Sequence, residues 1–222
     1  KRLGAVILTR DVSEVHRHEQ ELMTKDATIR EIHHRVKNNL QTVSALLRLQ
    51  SRRSSEEAVK VALAEAERRV QAIATVHAAL SQNVDESVDF DEVARTIVRM
   101  AGAIASTDHA VEVITSGSFG TIQADQAQAL ATVLNELVAN SVEHGLADRD
   151  GLIEVRAERE GTSMTVTVAD NGVGFVPGTP MSGLGTQIVH QMVRGELKGS
   201  IEWAPREGGG TLVTLHANLD PA

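Results

Sequence analysis

The chain has 222 residues, a net charge of −8, 41% hydrophobic and 23% charged side chains, and no cysteine. That length suits two domains better than one, the acidic balance argues against a direct nucleic-acid surface, and the missing thiols exclude disulfides and thiolate chemistry. No apolar run approaches the roughly 20 residues that span a bilayer, and no signal peptide is visible, so a cytoplasmic fragment is expected, with a sensor and any membrane part upstream of Lys1.

In chain order, residues 3–8 read as a strand, and Asp11 or Ser13 can cap the helix that follows. From there to Arg53 no Gly or Pro interrupts the chain, which is too long for an ordinary globular helix and points to a coiled coil or bundle. Leu22, Ile29, Val36 and Val43 recur every seven residues, joined by Ile32, Leu40, Leu46 and Leu47. After the polar break at residues 52–55, a second helical pattern carries Val59, Leu63, Ala66, Val70, Ile73, His77 and Leu80. Two such helices form an antiparallel hairpin. One hairpin cannot bury a sizeable core, but two in a four-helix bundle can, so a homodimer is expected.

Residues 81–87 read as a polar linker. Beyond it the pattern predicts a helix (90–104), a strand (111–115), a helix (124–145), strands over 152–159 and 163–170, a Gly-rich loop, a helix (184–194) and two final strands. Met164, Val166 and Val168 alternate as one buried face. Helices gathered on one side of a mixed sheet make an α/β sandwich. The expected organisation is a sensor remnant over 1–12, a helix and hairpin over 13–83, and a second domain over 88–222.

Chemistry concentrates in four places. On the first helix, with the Ile29/Ile32/Val36/Leu40/Val43 stripe turned inward, His34 points to the opposite side and His33 sits on the flank. Glu31 and Asn38, each about one turn away, share the face of His34 and can orient an imidazole that attacks a phosphoryl group. Taken alone, an exposed His is ordinary helix surface. Farther on, Glu136 and Asn140 share one helical face within Asn135-Glu136-Leu137-Val138-Ala139-Asn140, ahead of Glu143-His144-Gly145, and such oxygen ligands suit Mg²⁺. Asp170-Asn171-Gly172-Val173-Gly174 follows a strand, where a carboxylate can accept from an amino group and glycines admit a ligand to backbone. Gly183-Leu184-Gly185-Thr186 opens a helix whose free amides can receive phosphate. Each piece alone is a common turn or surface motif; none fits the Walker or dinucleotide patterns.

Together, and in this order, these motifs resemble the histidine kinases of the GHKL ATPase superfamily over residues 26–219. His33-His34-Arg35-Val36-Lys37-Asn38-Asn39-Leu40-Gln41 is similar to the HWE-related subfamily, the second HisKA group. The resemblance implies ATP and Mg²⁺ as cofactors and His34 as phosphoacceptor. It implies Asn140 as the metal-holding residue of the N box, with Glu136 the acidic residue one turn earlier. It further implies Asp170 as the adenine-recognising aspartate, backed by Gly172 and Gly174, and Gly183 and Gly185 as glycines of a lid. Thr211 is implied to support the adenine through water, and His144, Leu184 and Thr186 fall within the same nucleotide motifs. The opening strand and Asp11-Val12-Ser13-Glu14 resemble the exit of a PAS domain. The implied partner is a response regulator, of the kind carrying an RNA-binding ANTAR domain.

Three departures stand out. Arg35, not a carboxylate, follows His34, which passes the proton-accepting role to Glu31 or Glu136 or dispenses with it. Glu143 stands where the N box often has Lys, so a cation is expected from elsewhere, Arg149 or Lys198. The N box lacks the HWE histidine, and the lone Trp203 lies near the C-terminus. Two other readings stay open: a GHKL ATPase or serine kinase without histidine chemistry, and a degenerate dimeric scaffold. The remaining histidines (16, 18, 77, 109, 190 and 216) show no metal-like spacing, and Arg52-Arg53 and Arg68-Arg69 read as solvated helix faces.

Overall fold

The computed structural model describes residues 13–81, 87–102, 109–147, 149–174 and 183–221, with side chains of the first helix from Thr28 onward. The expected opening strand, the sensor remnant and the side chains of His16 and His18 lie outside the described residues.

Helix α1 (Ser13–Arg53) runs unbroken, as its lack of Gly and Pro predicts. The chain turns at Ser54, whose amide still donates to Gln50 O at 3.0 Å and whose Oγ accepts from the Glu56 amide at 3.2 Å. Helix α2 (Glu57–Leu80) then returns along α1, and Arg48 Nε donates to Glu67 Oε1 across the pair at 2.9 Å.

Within the single chain, α2 covers part of the apolar stripe. Ile29, His33, Val36, Lys37, Leu40, Ser44, Leu47 and Ser51 are covered positions of α1, while Ile32 and Val43 are 52% and 42% exposed. A helix with one neighbour can cover only one narrow stripe. These two join Leu46, Leu49, Val59 and Val61 as exposed apolar positions on the hairpin.

The second half of α2 has a further neighbour besides α1. It buries Val76 and Leu80 in the same apolar core as Leu130, Val133 and Leu134 of helix α4 (Ala124–Asn140). The hairpin is therefore continuous with the core of the α/β unit.

That unit holds a five-stranded sheet in the order β2-β4-β5-β7-β6. Its strands are β2 (Val111–Gly117), β4 (Gly151–Glu160), β5 (Ser163–Asp170), β6 (Ser200–Pro205) and β7 (Thr211–Asn218). Only β2 and β4 are parallel, and α4 supplies the crossover such a pair requires. Register aligns Val155 with Val168, Val168 with Val213 and Val213 with Trp203, so one row crosses four strands on the helix-covered face. Helices α3 (Phe90–Gly102), α4 and α5 (Leu184–Gly195) carry the core. Arg156, Glu158, Thr165, Thr167, Thr214 and His216 occupy the opposite, polar face, as period-two alternation requires.

Two strands were not expected. β1 (Ser87–Asp89) and β3 (Thr121–Gln123) pair antiparallel, and β1 begins at the end of the predicted linker. Three residues are too few to show an alternation, and the buried Phe90 and Phe119, with ring centroids 5.2 Å apart, anchor the pair instead.

Candidate active site

Asp170 ends β5 and is 2% exposed. Its Oδ1 accepts the Gly172 amide at 2.9 Å and the Thr211 amide at 3.2 Å. Two charge-assisted bonds fix the carboxylate plane before any ligand arrives. The loop after it lies on the end of the preceding helix, where Val173 N donates to Gly145 O at 3.0 Å. A Cβ on Gly172 would stand 2.1 Å from that same oxygen, so only glycine permits this approach.

Helix α4 passes into a π turn at Ser141–Gly145, where the Leu146 amide reaches Ser141 O at 2.9 Å. Such turns cluster at functional sites. Asn140, half-buried, stands at the junction. Glu136, one turn earlier, is buried, and at the start of α5 a Cβ on Gly185 would stand 2.4 Å from its Oε2.

These parts line one cavity of about 290 Å³, with Glu136, Asn140, His144, Asp170, Gly174, Gly183, Leu184, Gly185, Thr186 and Thr211 all on its wall. Gly172 supports it from behind. Trp203 and Val213 complete the wall, Trp203 with its ring 5.1 Å from that of His190.

The sequence reading missed Glu65, Arg68 and Arg69, which enter the cavity from α2. The arginines were expected on solvated faces but are 17% and 15% exposed, because α2 lies against α4 and both side chains meet carboxylates there. Arg69 donates through Nε to Glu136 Oε1 at 2.8 Å and through Nη2 to Glu136 Oε2 at 2.9 Å, with Glu65 at 3.3 Å. That fork, chiefly the hydrogen bond to Glu136, raises the Arg69 pKa further. Arg68 Nη2 stands 2.8 Å from Glu143 Oε1. The expected cations are elsewhere: Arg149 is exposed outside the cavity, and Lys198 donates to both Asp220 carboxylate oxygens at 2.9 and 3.0 Å. A signal was present in the sequence, since Glu136 and Glu143, two turns apart, form an acidic face that two adjacent arginines can match.

His34, Glu31 and Asn38 are exposed on α1 and do not line the cavity. His33 is half-buried, its Nδ1 lying 3.1 Å from Nδ1 of His77. His77 Nε2 is 3.2 Å from Nε2 of Gln128 on α4. The tautomer that satisfies both contacts is a neutral His77 accepting from Gln128 and donating from Nδ1 to His33. Adjacent histidines thus have opposite surroundings, one held and one open.

Burial, with the neighbouring His33 second, lowers the His77 pKa from its ordinary 6.5. Between the lowered folded value and 6.5 the unfolded chain binds more protons, so stability increases with pH across that window. His77 favours folding fully above its ordinary value, and that contribution is lost as pH falls through the lowered one. The thermal unfolding midpoint should therefore fall between about pH 7 and about pH 5, and less steeply in His77→Gln.

The fold and this cavity place one polar site on an α/β domain beside a helical hairpin. A family described as "Histidine kinase" matches residues 31–104, and one described as "Histidine kinase-, DNA gyrase B-, and HSP90-like ATPase" matches 125–221. The chain is 47% identical to the sensor histidine kinase PdtaS of Mycolicibacterium smegmatis, across 99% of this chain and 45% of that protein. It is 28% identical to blue-light-activated histidine kinase 2 of Erythrobacter litoralis, across 87% of this chain and 58% of that one. A solved blue-light activated histidine kinase from Erythrobacter litoralis shares the fold at a TM-score of 0.63, with 24% identity over 90% of this chain and 60% of that one. The chain belongs to the histidine kinases, carrying a helical domain of the HWE-related group followed by their ATPase domain. It spans about half the length of the curated relatives it matches.

Proposed function

We propose that this chain is the core of a protein-histidine kinase that binds Mg-ATP in the cavity and phosphorylates His34. The cavity supports the reading most directly, because it brings Asn140, Asp170 and the start of α5 around a single space. In the transfer the bond from the γ-phosphorus to the ADP oxygen breaks, a bond to an imidazole nitrogen of His34 forms, and the imidazole proton leaves. Asp170 would accept the adenine amino group, and the amides at Gly183–Thr186 would face the phosphates. Asn140 and Glu136 would hold Mg²⁺, which neutralises phosphate charge when bound. The donor chemistry suits that ion, because each Glu136 carboxylate oxygen keeps an acceptor site beyond its bond to Arg69. Glu31, exposed one turn from His34, is placed to take the proton.

His34 lies outside the cavity, so transfer requires either the hairpin of a second subunit or another seating of the nucleotide unit. The exposed apolar positions of the hairpin, Ile32, Val43, Leu46, Leu49, Val59 and Val61, favour a homodimer joined there. On this reading residues 13–83 form the dimerisation and phosphoacceptor unit and 88–222 the catalytic unit, following a PAS domain in a cytoplasmic protein. The phosphoryl group then passes to an aspartate of a response regulator, of the kind with an ANTAR output domain. No helix among the described residues is long and apolar enough to cross a membrane.

Incubation with γ-labelled ATP and Mg²⁺ tests the proposal. Label should appear on the protein in an acid-labile, base-stable form, as a phosphoramidate requires. Many equivalents of free phosphate with no labelled protein would instead favour an ATPase, and no nucleotide binding at millimolar concentration would favour a scaffold.

A further inference from the structure

The cavity has an unusual charge balance for a nucleotide site. Four carboxylates line it, Glu65, Glu136, Glu143 and Asp170, against two arginines, Arg68 and Arg69. Both arginines belong to the hairpin helix α2, not to the α/β unit. A triphosphate adds several negative charges to a space already acidic, and like charges at close range in a partly buried site repel strongly. Mg²⁺ would offset only part of that charge, and among the described wall residues only these two carry a fixed positive charge to meet the remainder.

The two are not equivalent. Arg69 is occupied on Nε and Nη2 by Glu136 and Glu65, and releasing it would leave the buried Glu136 carboxylate unpaired. Arg68 makes one ion pair through a single nitrogen, to Glu143, whose side chain is 31% exposed. A partly exposed carboxylate can return to water at little cost. Guanidinium also presents five donors in a planar fork suited to phosphate oxygens. Its position is equally specific: Glu143 lies three residues beyond Asn140, inside the π turn, so Arg68 stands at the Asn140 end of the cavity.

We infer that Arg68 is the triphosphate-binding cation of this cavity, exchanging Glu143 for a β- or γ-phosphate oxygen when Mg-ATP enters. The inference rests on the nucleotide reading above and adds to it a ligand from the other structural unit. Glu143 then acts as the counter-ion that holds the guanidinium over the cavity before nucleotide arrives. ATP affinity becomes a property of hairpin and catalytic unit together.

The test uses the 222-residue chain with Mg²⁺ and reads Trp203, the single tryptophan, on the cavity wall. ATP and AMP are titrated against the parent, Arg68→Ala, Arg68→Lys and Glu143→Gln. Arg68→Ala should weaken ATP about 10- to 100-fold, the size of one charge-assisted phosphate contact, while AMP, which lacks the β and γ groups, changes by less than about twofold. Arg68→Lys should recover most of the loss, and Glu143→Gln, which frees the arginine, should tighten ATP. Unchanged or tighter ATP binding in Arg68→Ala would overturn the inference. So would a parallel loss of ATP and AMP, which would make Arg68 a structural contact. If the parent binds AMP but all variants bind ATP alike, only this inference fails; if the parent binds neither nucleotide, the functional reading fails with it.

Discussion

His34→Gln should abolish stable labelling of the chain by γ-labelled ATP, to below about 1% of the parent, because no other side chain on that face offers a nucleophilic imidazole. His33→Gln should retain labelling within a few-fold. The contrast is sharp because the two residues are neighbours in sequence and chemically identical. His33 is half-buried and engaged by His77, so presenting it to a phosphoryl group would require breaking a contact that links α1 to α2 and, through Gln128, to α4. His34 is exposed and needs no such release. Mapping the phosphorylated residue by mass spectrometry under basic conditions checks both variants. Persistent labelling of His34→Gln at His33 would reverse the assignment of acceptor.

Asp170→Ala should reduce ATP affinity about 100-fold, and Asp170→Asn nearly as much. The alanine variant removes the ligand acceptor and also strands the Gly172 and Thr211 amides in a buried site, so the loops behind Asp170 and before β7 lose their common anchor. An unsatisfied buried donor costs about 1–3 kcal/mol. The asparagine variant separates these effects, since its amide oxygen can still accept from both loops. Its amide nitrogen can only donate, so it cannot accept the adenine amino group that Asp170 is proposed to bind. Titration through Trp203 fluorescence, alongside a thermal melt, distinguishes the two. If Asp170→Asn binds ATP as the parent does, adenine is recognised elsewhere.

The elements readable from sequence were those with long or regular patterns. The unbroken run to Arg53 and the alternation through Met164, Val166 and Val168 each carry enough residues to define a period, and β5 matches its predicted limits. The helix expected to extend to residue 145 does so only by changing to a π turn after Asn140. No periodicity predicts that change, because it depends on the close seating of the Asp170 loop on Gly145. The three-residue strands β1 and β3 escaped for want of length. In the site, motif residues within each element were legible because their spacing is local. Arg68 and Arg69 were not: their burial arises from the seating of α2 on α4, a contact 67 residues apart in sequence for Arg69 and Glu136. Periodicity locates the apolar stripe of α1 but not which neighbour covers each part of it: α2 covers Val36 and Leu40, while Ile32 and Val43 stay exposed on the single chain.

The 41 residues of α1 make a rod about 60 Å long. Near its middle, His33 is tethered while the next side chain is open. Rigid helices carry torque with little loss, so a small axial roll imposed near Ser13 would arrive undiminished at that tether. Because successive side chains point about 100° apart, even a partial roll would load the His33 tether while re-aiming His34, converting mechanical input into chemical availability without unfolding a single turn.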